Sequence, residues 1–165
     1  MPTSAIVALA NITLGSTASS VSFGSIPATY RDLRLVVQAT TSGANAAGFT
    51  LNGDATNGNY SWVQIFGDGS SAVSNSGTGA SGILPFTPNQ NFSTTVASIV
   101  TLDVMDYSAV NKHKSMLYRT NRADAVTNAI AARWANTAAV TTLTVSAISV
   151  NFAIGSTFSL FAIVS

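Results

Sequence analysis

The sequence predicts an all-β domain: an antiparallel β-sandwich or jelly roll of about eight to eleven short strands with little or no helix. Three observations carry that reading. Residues favoured by pleated sheets (Val, Ile, Thr, Phe and Tyr) recur along the chain and are broken by Gly, Asn, Ser and Pro. Apolar and polar residues alternate with a period of two, the spacing of a half-buried strand. The helical segments that a βαβ fold needs between its strands are missing.

The first strand falls near 4–14, where the apolar stretch Ala5 to Ala10 is interrupted by Asn11 and Thr13. No basic residue precedes it, so it reads as a strand rather than a secretory signal. Strands follow near 19–24 and 32–41; in the latter Leu33, Leu35, Val37 and Ala39 share one face, with Arg34 and Gln38 opposite. Strands near 47–52 and 60–66 flank Asn52-Gly53-Asp54 and Asn57-Gly58-Asn59, residues that tolerate positive φ and predict a tight surface turn. Residues 67–82 are the longest low-complexity stretch and read as a loop. Further strands are expected near 82–87, 94–105 and 113–121. Near 126–134, Val126, Asn128, Ile130, Ala132 and Trp134 line one face, with Thr127 and Arg133 on the other. Strands near 140–147 and 156–164 complete the set. The Ala-rich run 123–139 comes nearest to helix in composition, but its alternation favours a strand and then a turn at Ala135-Asn136-Thr137. No repeat or shift in composition divides the chain, and residues 1–165 read as a single β-sandwich domain.

Composition removes several function classes. Charged residues are 8% of the chain, against about 25% in ordinary domains, and Glu is absent. The 47% hydrophobic content excludes intrinsic disorder. A net charge of +1 gives no electrostatic footing for nucleic acid or an anionic membrane, and neither is expected as a partner. With no Cys, disulfides, thiolate metal sites and cysteine nucleophiles are ruled out.

Candidate chemistry is sparse. His113, the single histidine, lies in Asn111-Lys112-His113-Lys114, and any Ser–His–Asp site would have to use it. No G-x-S-x-G motif accompanies it, and a solvated turn residue is the simpler reading. Asp103 and Asp106 have the chemistry of a glycosidase pair, but they read better as a sheet-surface acid and a turn residue. Asp54 with Asn52, Asn57 and Asn59 has a faint calcium-loop pattern that lacks EF-hand spacing and its terminal Glu, so a metal-free turn is preferred. Catalytic residues, metal ligands and cofactors are therefore expected to be absent. In the last strand Phe158, Leu160, Ala162 and Val164 share one face, while Phe161 and Ile163 occupy the other. A strand apolar on both sides is covered on both sides, by loops or by another subunit, and Phe161 and Ile163 become candidates for a subunit interface.

Five segments then occur in a specific order: FGSIPATYRDLRL at 23–35, LNGDATNGNYS at 51–61, LDVMDYSAVNKHKS at 102–115, RWANTAAVTTLTV at 133–145 and GSTFSLFAI at 155–163. Together they resemble a family of small virion proteins of tailed bacteriophages. The resemblance spans nearly the whole chain and departs at the close, where members often carry Gly before the final Ile and this chain has Phe161-Ala162-Ile163. It implies a jelly-roll-like, non-enzymatic structural protein of the virion. The favoured role is a capsid decoration (cement) protein, a homotrimer bound to the major capsid protein lattice on the head surface. The alternative is a tail or tail-fibre component with a receptor-binding role.

Overall fold

A computed structural model describes residues 5–78, 84–86 and 92–164. Among them the chain is all-β, with strands β1 (Ile6–Thr13), β2 (Ser20–Phe23), β3 (Asp32–Ala39), β4 (Ala47–Leu51), β5 (Tyr60–Gly67) and β6 (Ala72–Thr78). Strands β7 (Leu84–Pro85), β8 (Ser98–Met105), β9 (Lys114–Arg122), β10 (Val126–Trp134), β11 (Leu143–Ala147) and β12 (Thr157–Ile163) follow. One sheet has eight strands in the order β1-β12-β3-β8-β9-β10-β5-β6, and the other four in the order β2-β11-β4-β7.

That order contains a jelly roll. With β5, β6, β9 and β10 set aside, the remaining strands form two four-stranded sheets, β1-β12-β3-β8 and β2-β11-β4-β7, the double-sheet arrangement of that fold. The other four strands are two hairpins, β5–β6 and β9–β10, which pair with each other through β5 and β10 and widen one sheet well beyond its partner.

The two-residue period decides what is inside. Leu33, Leu35 and Val37 on β3, Val100, Leu102 and Val104 on β8, and Phe158, Leu160 and Ala162 on β12 are buried from the large sheet. Val21, Phe23, Ala47, Phe49, Leu51, Leu143 and Val145 meet them from the small one. Aromatic rings fill the gap between the sheets: Phe49 packs on Phe86 and Tyr118 with ring centres 5.2 and 5.8 Å away, and Phe152 lies 5.1 Å from Phe158.

The run 126–134 is the strand its alternation predicts, β10, with the chain leaving the ladder at Ala135. The reading of 67–82 as a loop is corrected: Ala72–Thr78 is β6, paired with β5 from Gly67↔Ala72 to Ser61↔Thr78. Its composition gave no strand signal because an edge strand that buries almost nothing needs no apolar alternation. Its formation rests on the turn. Asp68 Oδ1 accepts the backbone N–H groups of Ser70 and Ser71 at 2.9 and 2.7 Å, and Gly69 takes φ 87°. The strands expected near 94–105 and 140–147 start later, at Ser98 and Leu143. Residues 4, 79–83 and 87 of the expected segments lie outside the described residues.

Two stability outcomes follow from the packing. Phe49→Ala removes a fully buried ring that packs on two others and should cost about 3–5 kcal/mol in urea denaturation. Gln64 is buried on the inner side of β5, and neither atom of its amide has a hydrogen-bond partner among the described residues. A buried unsatisfied amide is destabilising, so Gln64→Met, close in volume, should stabilise the protein by about 1–2 kcal/mol in the same measurement.

Candidate functional site

Four loops interlock at one end of the sandwich. In the β4–β5 turn, Asn52 and Gly53 take positive φ (53° and 66°), which turns the Asn52 amide back on the chain. Its Oδ1 accepts the backbone N–H groups of Thr141 and Thr142, and its Nδ2 donates to Ala139 O at 2.7 Å. Asp54 lies at the centre of the turn. Oδ2 accepts from Trp134 Nε1 at 2.7 Å and Asn59 Nδ2 at 2.8 Å, and Oδ1 from the backbone N–H of Thr56 at 2.9 Å. Desolvation alone would raise this carboxyl, but its donors outweigh burial and hold it well below the usual carboxylate range. The Asp54 carboxylate and the Asn52 amide oxygen thus both accept N–H donors from the turn and its neighbours.

The β8–β9 loop is held in the same way. Lys114 is 0% exposed, and its ammonium donates to the carbonyls of Ala109 (2.7 Å), Lys112 (3.0 Å) and Thr137 (3.2 Å). Burial pushes this ammonium down, Lys112 adds to the shift, and Asp106 opposes it. Tyr107 Oη donates to Pro27 O, Ser108 Oγ donates to Tyr30 O at 3.0 Å, and Val140 N donates to Tyr107 O at 2.9 Å. Buried Asp32 accepts from Arg31 Nε at 2.7 Å and from the backbone N–H of Asp106 at 2.8 Å. Sequence reasoning missed Lys114 and Asp32 because nothing local distinguishes a caged charge from a solvated one.

The sequence candidates for chemistry are dispersed. His113 is exposed in the turn before β9. Asp103 lies on the outer face of the large sheet in a two-bond pair with Arg34, at 2.6 and 3.0 Å. That hydrogen bond raises Arg34 against a smaller desolvation effect. Asp106 lies beyond the strand end at φ 47° and accepts from Lys112 Nζ at 2.7 Å, which lowers its carboxyl. The two acids therefore serve different cations in different settings, and the structure does not bring them together as a pair. Among the described residues no group of three or more His, Cys, Asp or Glu could hold a metal ion.

The outer face of the large sheet carries shallow depressions instead. One of about 620 Å³ is lined by small residues such as Gly67, Ala72 and Ala129 together with Ile65 and Arg119. Register places Leu117, Ala131 and Val63 in one cross-strand row, and Arg119, Ala129 and Ile65 in the next. Leu117, Val63 and Ile65 are 49%, 58% and 64% exposed. Phe161 and Ile163 lie on the same face toward the far edge, half-buried, opposite Ala8 and Ile6 of β1. The arrangement offers shape, apolar surface and a few cations. No protein-family model, curated protein or solved structure matches the chain.

Lys114→Met keeps most of the stem but leaves three carbonyls without their donor, and should cost about 3 kcal/mol, whereas His113→Ala should change stability by less than about 0.5 kcal/mol. Asp54→Ala should cost about 1–3 kcal/mol at neutral pH by stranding Trp134 Nε1. Its pH dependence has a definite sign. The folded carboxyl titrates below the unfolded one, so the contribution is complete above about pH 4 and fades as pH falls through the folded value. Urea denaturation from pH 7 down to pH 2 should show the wild-type advantage over Asp54→Ala shrinking only at the acid end.

Proposed function

We propose that this chain is a structural protein of a bacteriophage particle, a decoration protein that sits on the major capsid protein lattice and stabilises the head. The observation that carries the reading is where the resembling motifs fall. Pro27, Tyr30, Asn52, Asp54, Lys114 and Trp134 all come from those segments, and all join the four-loop lock. The shared pattern is thus one of architecture rather than of reacting groups, and in this reading no side chain is catalytic. A jelly-roll core, an architecture that also builds viral capsid domains, and a surface poor in charge support the same role. Fold alone does not imply it.

Self-association belongs to the proposal, with three-fold symmetry taken from the resemblance and Phe161 and Ile163 as contact residues. Burying such side chains contributes about 1.5–3 kcal/mol each before the costs of association. The test adds purified chain to undecorated heads and locates new density by electron microscopy. Density at regular lattice positions supports decoration. Density on the tail replaces it with the tail or tail-fibre role, and no density on any part of the particle overturns the virion reading. Phe161→Asp should weaken head binding about tenfold or more, and Ser159→Asp on the same face by less.

A further inference from the structure

The four sheet edges are not equally protected. Exposed edges present unpaired backbone N–H and C=O groups, and proteins usually blunt them with bulges, Pro, charge or brevity. Strand β1 has a register shift between Ala8 and Ala10, β2 has four residues, and β7 has two, one of them Pro85. Strand β6 has none of these devices. It runs seven residues, Ala-Val-Ser-Asn-Ser-Gly-Thr, without charge, Pro or register shift, and among the described residues it pairs on one side only.

Its outward groups can be assigned. Asp68 N donates to Ser71 O at 3.2 Å inside the hairpin. By the alternation of antiparallel ladders, Val73, Asn75 and Gly77 then exchange hydrogen bonds with β5, while Ala72, Ser74, Ser76 and Thr78 point outward. Consistently, the Ser76 N–H is taken up by the Asn75 side chain at 2.8 Å rather than by β5.

We infer that β6 is a docking edge for the β6 of a second copy, the two strands pairing antiparallel about a two-fold axis at Asn75 and joining the large sheets of both copies. The strand is self-complementary in that register. Ser74 faces Ser76 and Ala72 faces Thr78 as hydrogen-bonded pairs, in which the Ser76 N–H exchanges the Asn75 side chain for a carbonyl of the other copy, and no charge meets its like. Val73 faces Gly77 in a pair whose side chains lie closest. There the second copy is specifically accommodated. The Trp62 ring lies over Gly77, so that a Cβ built on that glycine would be 2.8 Å from Trp62 Cζ2. Gly77 itself carries no side chain to oppose Val73 of the other copy, 42% exposed in the single chain, and the Val73–Gly77 contact is made twice by symmetry. The cations of the outer face do not oppose the contact. Arg133 is two strands in from β6 and thus about 24 Å from its symmetry mate, several screening lengths at physiological salt.

This inference stands apart from the virion reading, and its test needs only the purified chain. Light scattering with size-exclusion chromatography across a dilution series should show a reversible dimer. The double variant S74K/S76K places Lys opposite Lys and should weaken dimerisation at least tenfold. S74K/S76E places Lys opposite Glu and should restore it, while Ser115→Lys on the outer face of β9 should leave it unchanged. Hydrogen exchange of wild-type β6 should slow with concentration, a readout that does not depend on any variant folding. A monomer at every concentration overturns the inference, as does equal weakening by S74K/S76K and S74K/S76E. An assembly indifferent to both variants also overturns it, and if that assembly is a trimer sensitive to Phe161→Asp, the proposed three-fold contact stands without the edge pairing.

Discussion

The arrangement depends on a buried ammonium without a carboxylate. Lys114 begins β9 and delivers its charge to three backbone carbonyls, two from its own loop and one, Thr137, from the connection between β10 and β11. A charge removed from water is tolerated only when its donors are satisfied. The two loops must therefore hold one geometry, and what they carry is fixed with them. Tyr107 and Val140 join them by a backbone bond, Thr141 and Thr142 meet Asn52, and Trp134 reaches Asp54. The lock binds the β9–β10 hairpin to the jelly roll that it widens.

The widening hairpins shape the surface as well as the core. A four-stranded sheet facing another can bury one side of every strand, but an eight-stranded sheet facing four leaves a broad outer face open. At its centre the Arg34–Asp103 pair cancels its own charge, and Arg119 and Arg133 lie on either side of an apolar stripe. With so few charges in the chain, the exposed surface is built largely from Ser, Thr, Ala and the backbone itself.

Strands with one wet and one dry side could be read from the chain. In β3, β8 and β10 each second residue enters the core, so the pattern of burial is already written in the pattern of side chains. Strand β6 could not be read, because its side chains have no dry side to report. Its existence follows from an Asp68 turn and from β5 lying beside it. The polar lock was half legible. Asn52-Gly53-Asp54 was recognisable as a turn, but its partner Trp134 is 80 residues away, and no local rule links them.

Local periodicity and turn chemistry by themselves determined that this protein is all-β and where most strands lie, because alternation and left-handed turn residues act within a few positions of one another. Only the tertiary structure decided which strands are neighbours, which charges are buried and which edge is left open. Those outcomes come from contacts between residues far apart in the chain: Asp103 becomes half of an ion pair once β3 and β8 lie side by side, and Lys114 becomes a clamp once the β10–β11 loop closes over it.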